Sequence, residues 1–214
     1  MNILKELQED TIYIKECLFD GANKEYKFSG KYGPVIGIHG VFGGWTKDSL
    51  RKFMTQNQVE GKLIYWGSLT DALEDYFPKL ETEMKKYNKP TLIGFSSGGL
   101  LAILYIERFK LWDKINKIIT VATPFSGNPA YAQHFGKSIK DTLPESDIIK
   151  EIVNLNPPKD KVLSIFAKED KFTHHPERIK LNWPSIVLPA QGHGDLQNHY
   201  EWINDILKKE LNII

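Results

Sequence analysis

Cysteine is almost missing from this sequence: Cys17 is the one thiol in 214 residues. A lone cysteine excludes an internal disulfide framework and a cysteine-built zinc site and suits a reducing compartment. Cys17 itself reads as a small buried hydrophobe rather than a reactive thiol. An excess of one charge is missing as well, since 28 basic residues face 27 acidic ones for a net charge of +1. No Lys/Arg block is long or aromatic-interleaved enough to track phosphates, so nucleic acid is not an expected partner. Long apolar runs are absent. The longest, around "LLAILYI" at 100–106, is far short of the roughly 20 residues a membrane-spanning helix needs. The opening "MNILKELQEDTIYIKE" carries charges from Lys5 onward and lacks the unbroken apolar core of a secretory signal, so a cytoplasmic location is expected.

Cofactor and metal signatures are lacking too. "GHGDLQ" at 192–197 has no third glycine and no G-K-[ST] follows Gly98 and Gly99, which leaves neither a dinucleotide fingerprint nor a phosphate-binding loop. His174 and His175 are adjacent and diverge, and His193, Asp195 and His199 would all have to converge on one ion, so no metal is expected. No internal repeat or low-complexity segment is present.

What is present is a series of short apolar runs: "PVIGI" at 34–38, "KLIYW" at 62–66, "TLIGF" at 91–95, "KIITVA" at 117–122, "KVLSIFA" at 161–167 and "SIVLP" at 185–189. Continuous rather than alternating apolarity marks parallel strands covered by helices on both faces. Between them runs the helical period: Leu73, Phe77, Leu80, Met84 and Tyr87 share one face, and so do Leu196, Tyr200, Ile203 and Leu207. The stretch "LLAILYIERF" is apolar nearly all round, which predicts the most enclosed helix of the set. Ahead of the first parallel strand, "TIYIKECLF" and "KEYKFSG" flank Asp20-Gly21, a turn signal for an N-terminal antiparallel hairpin. With 41% hydrophobic residues the chain reads as a single α/β domain over 1–214, its mostly parallel central sheet sandwiched by helices. The interval 124–160 holds no strand and is expected to form a lid or cap excursion within that domain.

Gly94-Phe95-Ser96-Ser97-Gly98 fits G-x-S-x-G, with a strand pattern before it and a helical pattern after it. In that arrangement Ser96 sits on a strained turn, and a Cβ at Gly94 or Gly98 would clash. Five residues alone specify little, because glycine and serine are common at turns. A serine nucleophile needs a base, and the base needs an acid to orient it. "KEDKFTHH" offers Asp170 at a later strand end, with Glu169 as the adjacent alternative, and "AQGHGDLQNH" offers His193 between two glycines on a loop before the C-terminal helix. His199 reads as a surface residue. An oxyanion needs two donors: the backbone N–H of Ser97, and one from "GIHGVFGGW" at 37–45, assigned to Val41 with Phe42 as fallback. His39 reads as a brace for that loop. Phe42, Phe125 and Phe172 are candidate substrate-pocket residues, and Phe125 itself, with Tyr131, Phe135, Leu143, Ile148 and Ile149, can either line an acyl pocket or pack helices.

These blocks together resemble the α/β-hydrolase superfamily, and within it the lipase and esterase branch. "HGVFGG" resembles its oxyanion loop, "GFSSG" its nucleophile elbow and "QGHGDL" its histidine loop, over roughly residues 34–205. "VATPFSGNPA" and "LPESDIIKEI" are similar to the segment leading into the cap in lipases and in deacylases acting on inositol-linked acyl chains. The resemblance implies Ser96 as nucleophile, His193 as base, Asp170 as orienting acid, and Val41 and Ser97 as oxyanion donors. It implies a serine esterase that needs no cofactor and acts on a small-molecule ester or acyl substrate. Acyl transfer, thioester or amide cleavage, or a non-catalytic ligand-binding role would use the same frame. The HGGG block of another esterase branch is absent.

Overall fold

The computed structural model describes residues 25–40, 44–64, 71–128, 137–170, 181–190, 192–198 and 200–214. The apolar runs form strands: β1 (Tyr26–Phe28), β2 (Tyr32–Ile38), β3 (Val59–Ile64), β4 (Thr91–Phe95), β5 (Ile118–Val121), β6 (Val162–Ala167) and β7 (Ser185–Leu188). Among the described residues they build one seven-stranded sheet in the order β1-β3-β2-β4-β5-β6-β7. Every neighbouring pair from β3 to β7 is parallel, and β1 alone runs antiparallel, against β3. The helices are α1 (Gly44–Gln56), α2 (Phe77–Met84), α3 (Ser97–Arg108), α4 (Lys137–Lys140), α5 (Asp147–Val153), α6 (His193–Asn198) and α7 (Tyr200–Glu210).

Two apolar layers flank the sheet. One joins α2, α3 and α5 through Leu80, Leu104 and Ile149; the other joins α1 and α7 through Phe53, Ile203 and Leu207. β4, β5 and β6 are buried at every residue, as their unbroken apolarity requires. β7 alternates exposed and half-buried positions, because among the described residues it is the edge strand and pairs with β6 alone. Residues Ser97 to Ile106 of α3 are all buried, so the helix with the least polar surface is the most enclosed. The C-terminal apolar face is split between α6 and α7, and Leu196, Ile203 and Leu207 from it are buried.

Of the expected N-terminal hairpin, the second arm is β1. It pairs with β3, Tyr26 opposite Leu63 and Phe28 opposite Gly61. Residues 1–24, with Cys17 and the Asp20-Gly21 turn, lie outside the described residues.

The described parts of 124–160 are tied to the body. Phe125, Leu143, Ile148, Ile149 and Ile152 are buried. Arg108 grips Glu151 through Nε at 2.9 Å and Nη2 at 2.7 Å, and reaches Glu74 through Nη1 at 2.5 Å. The Leu73 N–H donates to Asp141 Oδ2 at 3.1 Å, and within the segment itself the Asn128 N–H donates to the Thr142 carbonyl at 2.7 Å. Tyr131 and Phe135 lie outside the described residues. No helix among the described residues is long and apolar enough to cross a membrane.

A buried carboxylate holds the β3 side of the sheet. Glu83 Oε1 accepts from Lys62 at 2.7 Å and from Lys86 at 2.8 Å, while its Oε2 is buried without a hydrogen-bond partner among the described residues. Burial pushes the Glu83 carboxyl up, but the hydrogen bonds and charges of the two lysines prevail and hold it below its ordinary 4.5. A carboxylate depressed on folding adds stability that is present above its unfolded pKa and lost as pH falls through the folded one. Glu83→Gln is therefore expected to lower the melting temperature at pH 7, with the gap to wild type closing below about pH 4.5. Thermal melts from pH 7 to pH 3 check this; a gap that stays constant would show that the charge of Glu83 is immaterial.

Candidate active site

The site is assembled where the parallel strands end. Ser96 directly follows β4 with φ 50° and ψ −127°, a left-handed backbone that a non-glycine residue adopts only at a cost. Its N–H donates to the Val121 carbonyl at the end of β5 at 2.8 Å, and its carbonyl accepts from Gly99 at 3.0 Å. The elbow is thus pinned on both sides, with the half-buried Ser96 side chain at the mouth of α3.

Glycines make this approach possible. A Cβ at Gly94 would stand 2.5 Å from Gly99 Cα, and one at Gly98 would stand 2.4 Å from the Ile38 carbonyl oxygen and 2.5 Å from that of His39. Both elbow glycines are therefore explained by backbone packed against backbone. A third is needed that the five-residue pattern omits: a Cβ at Gly99 would lie 2.1 Å from Thr123 Oγ1. Its signal was legible, since a second glycine in the first turn of a helix costs about 0.8–1.0 kcal/mol relative to alanine and calls for a packing reason. Gly40, in the loop after β2, lies over Ser96, where a Cβ would meet Ser96 Cβ at 2.9 Å.

β6 and β7 deliver the other two groups. Their register sets Ala167 opposite Leu188, and just beyond it Lys168 and Glu169 donate backbone N–H groups to Leu188 and Ala190. This continued pairing carries Asp170 and His193 to the same place, and His193 Nδ1 lies 2.9 Å from Asp170 Oδ2. The Asp170 side chain is 0% exposed and that of His193 is 19% exposed. A carboxylate oxygen only accepts, so Nδ1 carries the proton in this contact. Glu169 is exposed. His193 is the first residue of α6, rather than part of a loop ahead of the C-terminal helix.

Ser97 opens α3 and is buried, and the backbone N–H groups of such a first turn have no partner within their own helix. His39 is buried and its Nδ1 donates to the Gly40 carbonyl, bracing the loop that crosses Ser96. Phe125 is fully buried, edge-on to Phe166 and Trp183 with ring centroids 6.2 and 5.4 Å away, so its ring packs in the core. Val41, Phe42, Phe172, His174, His175 and His199 lie outside the described residues. Among the described residues no group of three His, Cys, Asp or Glu side chains is arranged to hold a metal ion.

Solved structures share this architecture. An α/β-hydrolase enzyme, MGS-MChE2, from the metagenome of lagoon sediments at Mar Chica, Morocco, superposes with a TM-score of 0.61 at 19% identity, over 86% of this chain and 92% of that one. The chain has the α/β-hydrolase fold. A monoacylglycerol lipase of Paleococcus ferrophilus matches with a TM-score of 0.64 at 16% identity, over 87% of this chain and 98% of that one. The N-formylmaleamic acid deformylase of Pseudomonas putida matches with a TM-score of 0.68 at 14% identity, over 86% of this chain and 94% of that one. No protein-family model matches the sequence, and no curated protein does.

The α/β-hydrolase elbow leaves two glycines near the site in opposite situations. Gly98→Ala must displace backbone carbonyls of β2, whereas among the described residues nothing stands within 4 Å of a Cβ at Gly192. Gly98→Ala is expected to destabilise by about 1–3 kcal/mol, the usual cost of overpacking, with Gly192→Ala close to neutral. Denaturant midpoints compare the two, and equal midpoints would contradict the close packing of α3 on β2.

Proposed function

We propose that the protein is a serine hydrolase that cleaves a carboxylic ester through an acyl-enzyme. The observation that carries this reading is the 2.9 Å contact between His193 Nδ1 and a fully buried Asp170 carboxylate, at the same end of the sheet as a serine held in a left-handed turn. Asp170 fixes the imidazole tautomer and stabilises the imidazolium that forms. His193 Nε2 takes the Ser96 proton as Oγ attacks the carbonyl carbon, and the C–O bond to the leaving alcohol breaks as His193 returns that proton. Water, activated by His193, then releases the acid. The backbone N–H of Ser97, with that of Val41, stabilises the tetrahedral oxyanion. Structural neighbours that include a monoacylglycerol lipase support an ester of a lipid or other acyl chain as the substrate class. The deformylase among them favours, as a second reading, cleavage of an amide on the same three groups.

A fluorophosphonate probe is expected to label the wild type and leave Ser96→Ala unlabelled; labelling that survives Ser96→Ala would overturn Ser96 as nucleophile. Asp170→Asn, with the wrong tautomer, should reduce kcat by roughly 10³–10⁴-fold. Hydrolysis of p-nitrophenyl esters should fall on the acid side as the imidazole base takes up a proton. Flat activity down to pH 4.5 would exclude a histidine base. A panel of ester and amide substrates of increasing acyl length separates the two readings.

A further inference from the structure

The residue that demands glycine at position 99 is itself unusual. Thr123 is 0% exposed, and its Oγ1 is buried without a hydrogen-bond partner among the described residues. An unmade buried hydrogen bond costs stability that an isosteric valine would not incur. Thr123 is also rigidly placed. Pro124 follows it and keeps its backbone extended, while β-branching restricts its χ1. Ala122, just before it, has φ 50°, the same left-handed value as Ser96. Phe95 pairs with Val121 across β4 and β5, so the two kinks sit side by side on neighbouring strands. Beyond them, Thr123 Oγ1 meets the first turn of α3 at Gly99, within 2.1 Å of where a Cβ would be.

We propose that Thr123 is a positioning residue for the Ser96 elbow, its hydroxyl oxygen setting how closely the first turn of α3 settles onto the end of β5. An oxygen accepts a Cα–H contact at about 3.3–3.6 Å, where a methyl carbon keeps about 3.5–4.0 Å. The difference, a few tenths of an ångström, is passed directly to Ser96 Oγ and the Ser97 N–H, which ride on that turn. The kinetic consequence rests on the serine-hydrolase reading above; the geometric one does not.

The test compares Thr123→Val with Thr123→Ser in steady-state ester hydrolysis and in crystal structures. Valine is expected to lower kcat about 10-fold with KM within about twofold, because misplacement acts on the reacting atoms rather than on binding. Its structure should show the first turn of α3 displaced from β5. Serine, which keeps the oxygen, should restore at least about half of kcat and leave the turn in place. Should valine fail to fold, Thr123→Ala removes the oxygen without adding bulk and is expected to lower kcat with KM unchanged. A valine or alanine variant with wild-type kcat and an unmoved turn overturns the proposal, as does a serine variant as impaired as valine, which would assign the contact to the methyl group. If wild-type hydrolysis survives Ser96→Ala, the serine-hydrolase reading fails, and the position of the turn in the valine variant still decides the role of Thr123.

Discussion

The close approach of α3 to the ends of β2 and β5 is the constraint on which the rest of the site depends. A helix that followed β4 at ordinary distance would leave Ser96 as one more polar residue at a strand end. Here Gly98 comes so near the carbonyls of Ile38 and His39 that no side chain fits between them, Gly94 faces Gly99, and Gly99 faces Thr123. The turn must therefore be sharp, and its single non-glycine apex is pushed to φ 50°. That backbone turns the side chain outward and leaves the following N–H at a helix N-terminus, where negative charge is favoured.

The histidine is placed by another means. No tight turn is needed for it; the ladder between β6 and β7 simply continues past the strands, through Lys168 and Glu169, until a buried carboxylate and an imidazole meet. Burial sharpens this contact, because a carboxylate with no exposed surface depends on its few partners, and Nδ1–H of His193 is one of them. The two halves of the site are built independently, one by steric crowding and one by strand register, and the sheet order holds them at a fixed separation with β5 between.

Most of the strand series, the enclosed helix after Ser96 and the Asp170 and His193 positions were legible because each rests on a local signal: unbroken apolar runs, all-round apolarity, or an acid and a histidine just after strands. What escaped was set by distant contacts. For Phe125 the sequence leaves pocket lining and packing open, and the rings it packs against, Phe166 and Trp183, are not near it along the chain. Gly99 lies just outside the G-x-S-x-G pattern, and Thr123 gives no local sign that it faces a glycine 24 residues earlier. The partner of β1 is likewise a matter of sheet order, which periodicity does not encode.

Magnitudes explain how such an elbow persists. Ser96 and Ala122 each hold a backbone conformation that costs on the order of 1–3 kcal/mol, so the paired kinks together oppose folding by only a few kcal/mol. Directly behind them, Leu100, Leu101, Ile103, Leu104 and Ile106 of α3 are all 0% exposed. Burying five such side chains contributes roughly 7–15 kcal/mol before the entropy of ordering them is counted, an upper bound because the unfolded chain is already partly compact. Burial along one helix outweighs the strain at its own first turn, and both are located within a dozen residues. The apolarity of "LLAILYI" is thus the counterpart of the strain at "GFSSG": a more amphipathic helix at this place would leave less to hold Ser96 in its turn.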